Sequence, residues 1–136
     1  MVDVSTKPVQ EREAIAHGEV FMQESTLDLI EYNRIGKGNV LDSAKLAGVM
    51  AAKQVGTLIP HAHPLPLTHC ELHLDVPPTR DRIVITASAK VAGRTGVEME
   101  ALTAVSMAAL TIYDMCKAVD NTMVIRDVHL LSKTKK

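Results

Sequence analysis

Residues 96–119 read GVEMEALTAVSMAALTIYDMCKAV. Nothing inside this run breaks a helix. Met99, Leu102, Val105, Met107, Leu110, Ile112 and Met115 leave almost no polar face through its middle, which predicts a largely buried helix. A helix of about 22 residues spans about 33 Å, more than a chain of 136 residues can cover by itself. The expectation is an oligomer, with this helix or a neighbouring sheet edge at the contact.

Upstream, Cys70, Leu72, Leu74 and Val76 alternate with His69, Glu71, His73 and Asp75, the pattern of a half-buried strand, which Pro77-Pro78 ends. A second strand is expected from about Arg82 to Val91, antiparallel to the first because the connection is short. LIPHAHPLPL at 58–67 carries Pro60, Pro64 and Pro66, each lacking an amide donor, and so reads as an ordered extended loop. Val40 to Val55 reads as a helix, with Leu46, Val49 and Met50 at helical spacing and alanines for close packing. Ser25 and Thr26 are expected to cap a short helix through Ile30, and residues 33–39 to break it.

Residues 11–22 fit a strand whose periodicity Gly18 interrupts, and Met123–Leu131 fits a last strand. Residues 1–10 read as an extended arm and 132–136 as a basic tail. The order strand, helix, two strands, helix, strand predicts a single α+β domain over 1–136: a ferredoxin-like antiparallel sheet with helices packed on one face. The other face needs a cover, for which a second subunit is the natural candidate.

Fifteen basic and sixteen acidic side chains give a formal charge of −1, so there is no broad cationic field for nucleic acid or an anionic bilayer. Aromatic residues make up 2% and tryptophan is absent, which removes base-stacking platforms. No apolar run approaches the roughly 20 residues that cross a membrane, and the first residues are too polar for a secretory signal. A cytoplasmic chain is expected, with Cys70 and Cys116 as free thiols.

Several residues carry chemistry. His61 and His63, two apart between prolines, are expected on one side of an extended backbone, suited to a metal or a phosphate. With His69, Glu71 and His73 they outline a metal-dependent hydrolase, although no standard metal-ligand spacing is present. Glu98 and Glu100 open the long helix, where carboxylates complement the dipole, yet two positions differ by about 200°, so one serves a pocket and the other faces water. Asp114 and Lys117 are helical neighbours ending an uncharged stretch; they form either a surface ion pair or an acid/base pair set in an apolar wall. Lys37 lies between Gly36 and Gly38, where amides and an ammonium can approach a phosphate together. Lys53 falls near a helix C-terminus, and Arg12 and Lys133 add positive charge outside the helices; each alone reads as a solvated surface charge.

Taken together, MVDVS (1–5), GKGNV (36–40), LIPHAHPLPLT (58–68), TGVEMEALTAVSMAALTIYDMCKA (95–118) and VHLLSK (128–133) closely resemble the MoaC family of molybdenum cofactor biosynthesis across almost the whole chain. The resemblance implies a phosphorus-oxygen lyase. It would convert 3′,8-cyclo-7,8-dihydro-GTP, supplied by the radical-SAM enzyme MoaA, to cyclic pyranopterin monophosphate with release of diphosphate. It also implies a ferredoxin-like homohexamer, a trimer of dimers, with sites at the dimer interface. By motif, Asp114 and Lys117 match the catalytic pair. His61, Ala62, His63, Met99 and Glu100 match substrate-binding segments, and Lys37, Lys53, Arg12, Glu98 and Lys133 match further positions of the same pocket. No resident cofactor or metal is implied, and whether magnesium accompanies the triphosphate stays open. His61 and Ala62 depart from the family's usual Leu-Cys, adding an imidazole whose charge bears on phosphate affinity.

Glu100 and Asp114 lie fourteen positions apart on one helix, hence about 21 Å. A single nucleotide cannot easily touch both, so sharing one pocket requires two subunits. A noncatalytic nucleotide-binding scaffold is the remaining alternative.

Overall fold

The computed structural model describes Met1–Lys136. In chain order the elements are β1 (Gln10–Phe21), α1 (Glu24–Glu31), α2 (Val40–Ala52), α3 (Val55–Leu58), β2 (His69–Asp75), β3 (Arg82–Gly93), α4 (Glu98–Cys116) and β4 (Val124–Lys135). The strands form one antiparallel sheet in the order β2-β3-β1-β4. The expected ferredoxin-like α+β arrangement is therefore the one observed.

Alternation decides which face the helices cover. Ala14, Ala16 and Val20 of β1 and Ile83, Ile85, Ala87, Ala89 and Val91 of β3 are buried. They meet Ala101, Ala104, Val105, Ala108 and Ile112 of α4 in one hydrophobic core. Small side chains on both surfaces let α4 lie close. A β-carbon at Gly18 would come 2.5 Å from Val105 Cγ1, so the residue that blurred the strand period is the seat of the helix. A β-carbon at Gly48 of α2 would come 2.5 Å from Leu72 Cδ2 and 2.9 Å from the Ala104 carbonyl oxygen, so the α2–α4 crossing depends on glycine in the same way. The opposite sheet face lacks a helix layer and carries the partly or fully exposed side of the strands, including His69, Glu71 and His73.

Three local expectations are corrected. Ser25 and Thr26 lie inside α1, whose N-cap is Gln23 with no side-chain cap bond; the cap comes from a distant residue described below. The helix expected over 40–55 ends at Ala52, and a single turn, α3, opens the proline-rich segment. Asn39 caps α2 by accepting from Asp42 N at 3.0 Å. Residues 132–135 are not a loose tail: β4 runs through Lys135, and Lys136 exchanges two backbone hydrogen bonds with Glu11. No helix is long and apolar enough to cross a membrane, and both cysteines are free thiols, Cys116 buried and Cys70 half-buried.

Candidate active site

α4 carries functional groups at both ends. At its C-terminal end the Asp114 carboxylate sits between two ammonium groups: Lys117 Nζ is 3.0 Å from Oδ1 and Lys37 Nζ is 3.0 Å from Oδ2. Lys37 Nζ also donates to the Asp114 carbonyl oxygen at 3.2 Å. Lys117 hydrogen bonding, and then Lys37, hold the Asp114 carboxyl below its usual range. Of the two readings open from sequence, the single protomer shows the exposed ion pair, with the Asp114 and Lys117 side chains 57% and 59% exposed. The reason is the side they occupy: Asp114 and the C-cap residue Lys117 face outward at the end of α4, while Ile112, Met115 and Cys116 beside them are buried. Lys37 neutralises a carboxylate rather than standing free between its glycines.

At the N-terminal end the two glutamates part as the helical angle requires. Glu100 is 3% exposed and lines a cavity of about 290 Å³ with Lys53, Thr57 and Pro64. Burial, with a smaller push from Glu98, raises the Glu100 pKa above its ordinary value, because removing the carboxylate from water disfavours its charged form. Glu98 is only partly buried, 3.5 Å from Lys133 Nζ. These two line a second cavity of about 330 Å³ with Arg12, Lys7 and Lys135.

Arg12 is not the solvated charge that sequence alone suggested. It is 9% exposed because it lies on the helix-facing side of β1. Its guanidinium donates to Gly93 O at 3.0 Å, and to Arg94 O and Gln10 Oε1 at 3.4 Å. Every one of those acceptors is neutral, so a buried positive charge in this wall remains available to an anion. Lys7 and Lys135 escaped sequence reasoning. The signal was the i, i+2 spacing of Lys133 and Lys135, legible only once that segment is taken as strand.

The His61-Ala62-His63 segment is a turn followed by extended chain. Both imidazoles nonetheless meet the N-terminal arm: His63 Nε2 donates to Val2 O at 2.8 Å, and Met1 N donates to His61 Nδ1 at 3.1 Å. Ala62 is half-buried between them. Met99, 39% exposed, lines neither cavity and belongs to the outer surface of α4. On the open sheet face Glu71 bridges His69 and His73 at 3.3 Å each. No group of three or more His, Cys, Asp or Glu residues is placed to hold a metal ion, so the cluster a metal-dependent hydrolase would need does not assemble.

The fold and these groups define a class: an α+β domain offering a carboxylate held between two amines, a cavity in which Arg12, Lys7, Lys133 and Lys135 outnumber Glu13 and Glu98, and a buried carboxyl group. Residues 1–136 match the MoaC family, and the chain belongs to it. Relatives named cyclic pyranopterin monophosphate synthase include one from Desulforapulum autotrophicum, 58% identical over 134 residues, covering 98% of this chain and 82% of the relative. That of Desulfitobacterium hafniense is 55% identical over 134 residues, with the same shares covered. That of Clostridium perfringens is 53% identical over 133 residues, covering 98% of this chain and 84% of the relative.

Proposed function

We propose that this chain is a cyclic pyranopterin monophosphate synthase acting in molybdenum cofactor biosynthesis. It is a lyase that converts 3′,8-cyclo-7,8-dihydro-GTP, the product of the radical-SAM enzyme MoaA, to cyclic pyranopterin monophosphate and diphosphate. The observation that carries the residue roles is the Asp114 carboxylate held 3.0 Å from both Lys37 and Lys117. Opening the purine, closing the pterin and forming the cyclic phosphate require proton transfers at several atoms and positive charge at the departing diphosphate, with no electron acceptor. Asp114 moves protons, and Lys117 assists as acid or stabilises developing charge. Arg12, Lys53, Lys133 and His63 bind the triphosphate, while Glu100 donates to or accepts from the guanine-derived edge and Glu98 orients Lys133.

The two ends of α4 act together through a second copy. Met99, Leu110 and Tyr113 are exposed on its outer side. An antiparallel pair of α4 helices about a dyad near Met107 places residue 100 of one opposite residue 114 of the other, across the usual helix separation of about 8–10 Å. The protomer's 21 Å gap thereby shrinks to the size of a nucleotide. Such dimers, three to a hexamer, cover the apolar stripe. The reaction belongs in the cytoplasm, where its GTP-derived substrate arises.

The test is incubation of the purified protein with 3′,8-cyclo-7,8-dihydro-GTP, following diphosphate and pterin. Lys117→Ala abolishes turnover while the assembly, read by light scattering, stays intact. Unchanged turnover in that variant refutes the assignment, and absence of diphosphate from the parent protein refutes the function.

A further inference from the structure

Asp120 has no role in the chemistry above, yet it is 3% exposed and carries a full set of donors. Its Oδ2 accepts from Gln23 N at 3.0 Å and from Thr26 Oγ1 at 2.8 Å. Its Oδ1 accepts from Thr122 N at 2.8 Å and Thr122 Oγ1 at 2.6 Å. Gln23 is the N-cap of α1 and makes no side-chain cap of its own. Asp120 therefore caps α1 from the turn that follows α4, satisfying first-turn donors and meeting the positive end of the helix with a negative charge.

That cap closes a ring of contacts. Asp120 N donates to Cys116 O at 3.1 Å, next to Lys117, whose own N donates to Tyr113 O at 2.9 Å. From α1 the chain runs through residues 32–39 to Lys37, which returns to Asp114 at the same end of α4. The structure assigns Asp120 the part of a positioning residue: by docking α1 on the end of α4, it holds the Lys37 segment in register so that Asp114 keeps both ammonium partners. This rests on the reading of Asp114, Lys117 and Lys37 as the reaction centre. Loss of the cap need not unfold the chain. α1 is also anchored by buried Leu27 and Ile30 and by Arg80, whose guanidinium pairs with Glu24 at 3.0 Å, Asp28 at 2.6 Å and Glu31 at 2.8 Å.

Two hydroxyl deletions divide the two sides of the carboxylate. Thr26→Val removes one donor on the α1 side, and Thr122→Val removes one on the turn side. Product formation is followed in the steady state over a range of substrate concentrations, well below the melting temperature, with Lys117→Ala and Lys37→Ala in parallel. Thr26→Val lowers kcat about tenfold, the scale of a sub-ångström misplacement, while KM stays within about twofold; Thr122→Val keeps both within about twofold. In the Lys37→Ala background Thr26→Val has no further effect, because the group it positions is gone. Asp120→Asn, which turns an amide N–H₂ toward donors, loses at least as much kcat as Thr26→Val. A parental kcat for Thr26→Val, or an equal loss with and without Lys37, overturns the positioning role. If Lys117→Ala itself retains parental turnover, the reaction-centre reading fails first, and this role with it.

Discussion

Gly48→Ala tests how closely the α2–α4 crossing sets both stability and site geometry. In an exposed helix interior this change is favourable by about 1 kcal/mol. Here the added carbon would stand 2.5 Å from Leu72 Cδ2 and 2.9 Å from the Ala104 carbonyl oxygen. Leu72 is itself buried in the core and cannot swing clear, and the carbonyl belongs to the α4 backbone, so the helices must separate. Overpacking of this kind costs about 1–3 kcal/mol, which outweighs the propensity gain and leaves the variant about 1 kcal/mol less stable. In urea, with a slope of about 2 kcal/mol/M, the midpoint falls by about 0.5 M. The assay is equilibrium unfolding followed by circular dichroism at one fixed protomer concentration, since assembly contributes to apparent stability. Gly36→Ala is the control, because a β-carbon there meets nothing within 4 Å. The same displacement moves Lys53, at the C-cap of α2, relative to Glu100 on α4, so KM for the substrate rises. A Gly48→Ala protein as stable as Gly36→Ala, with unchanged KM, refutes the account of the crossing.

Other consequences follow from the two perturbed carboxyls. Glu100 is raised above its ordinary 4.5 by burial, so the folded state binds its proton more tightly, and the stability this contributes is full below 4.5 and is lost as pH rises from there through the higher folded value. Glu100→Gln therefore unfolds at higher urea than the parent protein at pH 8, while kcat/KM drops about tenfold or more as a charge-capable contact to the substrate edge is lost; a less stable variant at pH 8 contradicts the buried-acid assignment. Asp120 is lowered from 3.8 to about 2 by hydrogen bonds from Thr122, Gln23 and Thr26, which outweigh its burial. Its contribution is full above pH 3.8 and fades as pH falls toward 2. Acid titration of the melting temperature should accordingly be shallower for Asp120→Asn than for the parent between those values, and parallel curves would show that the cap carries no charge preference.

The elements themselves were legible along the chain because each has a local cause. The alternation from His69 to Asp75, the proline punctuation of 58–67 and the unbroken apolar run of α4 act over a few residues, and the observed strands, loop and helix follow them. The parting of Glu98 from Glu100 was legible for the same reason, since 3.6 residues per turn dictates it. Charge environment was not. Arg12 read as a surface cation but is buried, Asp114 and Lys117 left a surface pair and an apolar wall both open until the protomer showed them exposed, and two of the donors around Asp120 come from 94 and 97 residues away. Burial and electrostatics depend on which distant segments meet, and no window of sequence contains both sides of such a contact. Gly18 and Gly48 show the limit in one residue each: the sequence records a missing side chain, and only the packed helix says what occupies its place.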